Sequence, residues 1–149
     1  MRAVCQGVSS ARVTVAGRCA SRIGAGLLVY LGIGQDDTPA DSDYLARKVR
    51  YLRVFEDADG RWNRDVVEAG GRVLVVSAFT LLADARKGRR PAFTAAAPAE
   101  SARALYDRFC TGLTDHGVSV ERGVFRETMT VESANEGPVC ILLDSRRHF

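Results

Sequence analysis

The sequence predicts an α+β fold, a mostly antiparallel or mixed β-sheet with two main helices, over residues 1–149 as one domain. Three observations carry this reading. The first third of the chain is a series of short alternating stretches joined by Ser and Gly, with no helical crossover between them, which argues against a doubly wound sheet. Two amphipathic segments, well separated, have helical periodicity. Leu27-Leu28-Val29-Tyr30-Leu31-Gly32-Ile33 is almost continuously apolar, the pattern of a central strand covered on both faces.

Residues 2–8 and 11–16 alternate as strands, with Ser9 and Ser10 as a short turn between them. Ala16-Gly17 leads into a third strand near 18–23, and Gly24 and Gly26 bracket the next turn. Thr38-Pro39-Ala40-Asp41 starts a helix: Thr38 can cap, Pro39 suits the first helical position, and Asp41 sits in the positively polarised first turn. Leu45, Val49 and Leu52 form its apolar stripe, with Tyr44, Tyr51 and Phe55 flanking. Asp57-Ala58-Asp59-Gly60 is a turn, and residues 61–70 have no clear period. Val73–Val76 is a buried strand that ends at Ser77. Pro98 opens the second helix, Leu105, Tyr106, Phe109, Cys110 and Leu113 give it a buried face, and Gly117 stops it. Val118–Glu121, Thr128–Glu132 and Val139–Leu143 are expected to be three closing strands.

Composition narrows the function classes. Apolar residues at 46% and charged residues at 26% are ordinary for a soluble globular protein. No run of eighteen apolar residues exists, so no membrane span is expected. The N-terminus lacks a secretion signal, and the expected compartment is the cytoplasm. Cys5, Cys19, Cys110 and Cys140 are scattered without a C-x-x-C pair and are read as buried reduced thiols. No His/Cys/carboxylate cluster has ligand spacing, so neither a metal nor another cofactor is expected. His116 precedes a helix-ending glycine and His148 lies next to the last residue, which leaves little basis for a Ser-His or Cys-His mechanism.

Chemistry concentrates between Ser77 and Thr94. The strand delivers Ser77, Ala78, Phe79 and Thr80 to its end, and a loop with Arg86, Lys87, Arg89 and Arg90 follows at once. From Asp84 to Thr94 the net charge is +3, equal to that of the whole chain, so the basic excess is assignable to this loop. Two readings stand for each part. Ser77 and Thr80 either serve a substrate or satisfy nearby backbone. The loop is either a solvated turn or a phosphate-binding element. Gly137-Pro138 precedes an apolar strand; about one X-Pro bond in twenty is cis in folded proteins, so a plain trans turn is the simpler reading of the residues alone.

Taken together, S-A-F-T-L, D-x-R-K-G-R-R-P-x-F-T and N-x-G-P-V resemble the D-aminoacyl-tRNA deacylase family. The opening M-R-A-V-x-Q-x-V-S, then G-x-G-L-L-V-x-L-G, L-R-V-F-E-D and the final L-L-D-S extend the likeness over nearly the whole chain. The resemblance implies a barrel-like core, a homodimer with its site at the subunit interface, and hydrolysis of the ester between a D-amino acid, or mischarged glycine, and the 3′ end of tRNA. It implies that Gly137-Pro138 is cis, that its carbonyls reach into the other subunit's pocket and leave no room for an L side chain, and that Asn135 and Ala78 also contact the substrate. It implies that Ser77, Phe79 and Thr80 carry the reaction, with backbone donors for the oxyanion. The terminal adenosine's own 2′-hydroxyl would assist, Phe125 and Met129 would hold the adenosine, and the cations of the basic loop would hold tRNA phosphates. Two positions depart from the family pattern. Ala78 stands where Gln is usual and Cys140 where Thr is usual. Ala78 leaves open an alternative: a tRNA-binding member with weak or shifted deacylase activity.

Overall fold

In a computed structural model, which describes residues 1–148, the chain forms eight strands, two α-helices and one 3-10 turn. The strands are β1 (Arg2–Val15), β2 (Arg18–Ile23), β3 (Gly26–Gly32), β4 (Phe55–Glu56), β5 (Trp62–Arg64), β6 (Arg72–Ser77), β7 (Val120–Arg122) and β8 (Thr130–Asp144). The helices are α1 (Pro39–Arg50) and α2 (Ala99–Asp115), and the 3-10 turn is Phe79–Leu82. The main sheet runs β2-β1-β3-β6-β7, with β8 paired to β1, and β4 and β5 make a separate hairpin. β1 pairs antiparallel with β2, β3 and β8, whereas β3-β6 and β6-β7 are parallel. Each parallel step carries one helix as its crossover, so α1 and α2 come to the same face of the sheet.

Alternation along the central strands builds two cores. Leu27, Val29, Leu31, Val73 and Val75 face Leu45, Val49, Phe109 and Leu113 of the helices. Leu28, Leu74 and Val76 face Val8, Val13 and Ile23, on the inside of the curled sheet. The expectation that 27–33 is covered on both faces is met, since Leu27, Leu28 and Val29 are all fully buried.

Three expectations about elements are corrected. Ser9-Ser10 is no turn: β1 runs unbroken, and the β1–β8 register slips between Gln6 and Val8 and again between Val8 and Ser10. At the first slip the extra residues are on β8; at the second, two steps of β1 stand against one of β8, and that one turns β1's faces over, which is why Ala3 and Cys5 lie in the helix-side core while Ala11 and Val13 lie in the other. The two strands expected at 128–132 and 139–143 are one strand, β8. β8 pairs only with β1, and such an edge tolerates a proline because the missing N–H costs no ladder bond. Gly26 belongs to β3 rather than to the turn before it.

The helix starts follow local chemistry. At α1 the Asp41 carboxylate accepts hydrogen bonds from the Thr38 N–H (2.8 Å) and the Thr38 hydroxyl (2.7 Å). Burial alone would raise the Asp41 carboxyl, but bonds from Ser145 and Thr38 outweigh it and bring it down to about 2. The helices run side by side in the same direction: the Ser42 hydroxyl donates to Leu105 O (3.0 Å), Arg108 pairs with Asp43 (2.7 Å), and Arg50 Nε donates to His116 O (2.9 Å). Both helix starts therefore lie at one end of the layer, beside the end of β6.

Candidate active site

That end of the layer holds a cleft of about 600 Å³. One wall is Ser77, Ala78 and Phe79 from the end of β6. A second is Ala96–Ala99 and Ala102, where α2 begins. The third is Phe125–Met129, from the loop between β7 and β8. Phe93 closes the rim against Phe79, edge to face with centroids 5.1 Å apart.

The turn after β6 sits tight on the sheet. The Ala78 N–H donates to Leu31 O at 2.8 Å, and Gly32 lies directly beneath the turn. The Ala78 carbonyl accepts from Leu81, and the Thr80 carbonyl from Ala83. The backbone N–H groups of Phe79 and Thr80 meet no backbone acceptor among the described residues, so both are free to donate to a ligand. Thr80 is exposed on this turn but is not part of the cleft lining.

Behind the cleft the Tyr106 hydroxyl, buried, donates to Val75 O at 2.9 Å. Burial pushes that hydroxyl far above its usual range, so it remains a donor. Its ring packs on Phe125 at 5.6 Å, and Arg103 Cζ lies 5.4 Å from the Phe125 centroid, which sets a cation beside the aromatic wall. Neither histidine lines the cleft, and among the described residues Glu127 is its one carboxylate. Among the described residues no group of three His, Cys, Asp or Glu side chains is close enough to hold a metal ion. The cleft thus offers apolar walls and neutral main-chain donors.

The basic loop is pinned at its base and open at its tip. Asp84 and Ala92 exchange both backbone hydrogen bonds at 2.8 Å, and Gly88 turns the tip with φ +75°. Arg86 folds back on Asp84, donating from Nε (2.9 Å) and Nη2 (2.7 Å), and holds that carboxyl well below the usual carboxylate range. Lys87, Arg89 and Arg90 are exposed and form no ion pair among the described residues. None of the four cations lines the cleft itself.

Asn135, Gly137 and Pro138 lie on β8 and do not line this cleft. The Gly137–Pro138 peptide is cis, Gly137 has φ +109°, and both residues are exposed. The side-chain oxygen of Asn135 is shielded from solvent and has no hydrogen-bond partner among the described residues. The reading of the cysteines needs correction: Cys5 and Cys110 are buried, but Cys19 and Cys140 are exposed. Cys140 points outward by alternation with buried Val139, whereas Cys19 lies beyond the β1–β2 register shift at Val13/Thr14, which takes it off the buried face of Ser21 and Ile23. The sequence reading missed the α2 wall and Arg103. The run Ala95-Ala96-Ala97 just before a helix start was the available signal, since small side chains leave space beside a chain reversal.

Comparison with known proteins gives a consistent result. A family model described as D-Tyr-tRNA(Tyr) deacylase matches residues 4–144. The chain is 57% identical to the D-aminoacyl-tRNA deacylase of Anaeromyxobacter dehalogenans (strain 2CP-C), over all of both chains. It is 52% identical to that of Thermotoga petrophila, again over all of both. Among solved structures it superposes on the c-Myc DNA Unwinding Element Binding Protein with a TM-score of 0.91 and 39% identity, covering 97% of this chain and 98% of that one.

Proposed function

The chain belongs to the D-Tyr-tRNA(Tyr) deacylase family and is a hydrolase, and on that premise we propose that it cleaves D-aminoacyl and glycyl esters of tRNA in its Phe79–Phe125 cleft. Water adds to the ester carbonyl, the bond to the 3′-oxygen breaks, and free tRNA and amino acid leave. The free N–H groups of Phe79 and Thr80 receive the oxyanion, worth about 2.7–4 kcal/mol for one well-placed donor. Ser77 borders the same space, and Phe125 and Met129 hold the terminal adenosine, whose 2′-hydroxyl assists in place of a side-chain base. Lys87, Arg89 and Arg90 take the phosphates, and Arg86 braces the loop through Asp84. The activity belongs to the cytoplasm, where tRNA is charged.

The observation that carries this reading is the adjacency of the cleft, its unpaired main-chain donors and the open cationic loop on one continuous stretch, Ser77–Arg90.

Chirality is selected by a second copy. The exposed Gly137-Pro138 segment of one subunit enters the cleft of the other, and its carbonyls occupy the side on which an L side chain would project. Supporting the pairing, Phe79 is 59% exposed, Leu142 on the β8 edge is 58% exposed, and the Asn135 oxygen has no partner among the described residues. Sedimentation at micromolar concentration is expected to give a dimer; a monomer there overturns this arrangement.

Release of amino acid from D-Tyr-, Gly- and L-Tyr-tRNA tests the activity. The first two are expected to be cleaved and the third at least a hundredfold more slowly. Equal rates for L and D would overturn the exclusion, and no cleavage of any would overturn the activity.

Ala78 favours a second reading. It lines the cleft without the amide that the family pattern has there. One lost hydrogen bond of about 1–3 kcal/mol corresponds to roughly ten- to a hundredfold in rate. On that reading Ala78→Gln raises D-Tyr-tRNA turnover by that factor; an unchanged rate removes it.

A further inference from the structure

A second cationic surface lies on α1, away from the cleft. Tyr44, Arg47, Lys48 and Tyr51 recur at i, i+3, i+4 and i+7, one stripe of the helix. The sequence reading took the tyrosines as flanking apolar residues. In the fold the buried stripe is Leu45, Ala46 and Val49, and this one lines an open groove of about 540 Å³ with Leu52 and Arg53. Lys48 Nζ and Arg147 Cζ each lie 5.6 Å from the Tyr44 centroid, and Arg50 Cζ lies 4.7 Å from that of Tyr51, which is 54% exposed.

The charge here is uncompensated. Arg47, Lys48, Arg53 and Arg147 form no ion pair among the described residues. The neighbouring carboxylates are already held: Asp43 by Arg108 (2.7 Å) and Asp65 by Arg50 (2.5 Å). The basic loop therefore does not hold all of the free positive charge, as its net charge alone had suggested. Cations without counter-ions among the described residues, interleaved with half-buried Tyr44 and exposed Tyr51 in a groove, suit a strand of phosphates and bases. A lipid surface would call for protruding large apolar side chains, and Leu52, the one aliphatic side chain in the groove, is half-buried.

Position relates this groove to the cleft. α1 and α2 run parallel with their starts at the cleft, and the groove is at the far end of α1. Twelve helical residues span about 18 Å. We propose that the groove binds the phosphodiester backbone of the same tRNA whose aminoacyl end occupies a cleft of the enzyme. This rests on the deacylase reading and adds a footprint distinct from the basic loop.

The test is the triple variant Arg47→Ala, Lys48→Ala, Arg53→Ala in the full-length protein, with circular dichroism to confirm folding. Affinity for uncharged tRNA is measured against salt, and kcat/KM is measured for D-Tyr-tRNA and for the D-tyrosyl ester of adenosine, which has no phosphates. The variant is expected to bind tRNA at least tenfold more weakly at low salt. Its log–log salt slope should fall by about 2 to 3, roughly 0.7–0.9 for each phosphate that is no longer neutralised. The adenosine ester should be cleaved within twofold of the wild-type rate. An unchanged slope and affinity overturn the groove. So does a variant that loses binding to phosphatidylserine vesicles while keeping its affinity for tRNA. If the wild type cleaves neither ester, the deacylase reading fails, while the salt slope still decides the groove.

Discussion

Gly32 is the position from which the candidate site can be moved without touching it. It is the last residue of β3 and lies buried under the Phe79–Leu82 turn. A methyl group there would stand 2.5 Å from Leu82 Cδ2, 2.9 Å from Leu81 Cβ and 3.1 Å from the Ala78 carbonyl oxygen. Comfortable carbon contacts lie near 3.5–4.0 Å. The Leu82 side chain can rotate aside, but Leu81 Cβ and Ala78 O move only with the backbone. Gly32→Ala therefore lifts the turn by about 1 Å. Overpacking of this kind costs about 1–3 kcal/mol of stability. A shift of about 1 Å in a reacting arrangement costs on the order of 10²-fold in rate. The variant should thus stay folded, with its urea midpoint lowered, and should lose about a hundredfold in kcat/KM for D-Tyr-tRNA. Its affinity for uncharged tRNA should persist, because the base of the basic loop is pinned separately by the Asp84–Ala92 bonds. A kcat/KM within threefold of wild type, with stability reduced as expected, would refute the idea that this turn carries the chemistry.

Three further outcomes are expected. Replacing Lys87, Arg89 and Arg90 together by Ala should weaken tRNA binding and reduce its salt slope by about 2 to 3, measured by filter binding; an unchanged slope moves the phosphates elsewhere. Burial pushes the thiol of Cys5 up to about 12 and that of Cys110 up to about 11. Both then hold protons that the unfolded chain releases near pH 8.5, so stability is full below that pH and falls as pH rises toward 11. The slope is about 1.4 kcal/mol per pH unit for each thiol. Denaturation at pH 8 and pH 10.5 should show the fall, and Cys5→Ala should roughly halve the thiol part of it. Tyr106→Phe removes the bond to the Val75 carbonyl, which keeps its bond from the Gly123 N–H. The expected cost is about 1 kcal/mol, or about 2–4 °C in Tm by calorimetry; a much larger loss would mean the hydroxyl has another partner.

Sequence alone determined those features that rest on local chemistry. The starts of both helices, the stop after α2, the strand ending at Ser77 and the doubly covered β3 are all set by residues within a few positions of one another. So was the family likeness, because it rests on short motifs whose order survives in the chain. Tertiary structure decided the rest, and pairing is the physical reason. Whether Ser9-Ser10 turns or continues depends on β8, more than a hundred residues away, whose ladder holds the bulged β1 extended. The strand that contains Gly137-Pro138 stays whole for the same reason, since β1 pairs with residues on both sides of it. Charge shows the same division. Counting residues placed the basic excess in one loop, yet which cations remain free depends on which carboxylates the fold brings to them. Arg86 is neutralised by Asp84, two residues away, whereas Arg50 is neutralised only because the chain returns Asp65 to it, leaving Arg47 and Lys48 of α1 and Arg53 just beyond it open along one groove.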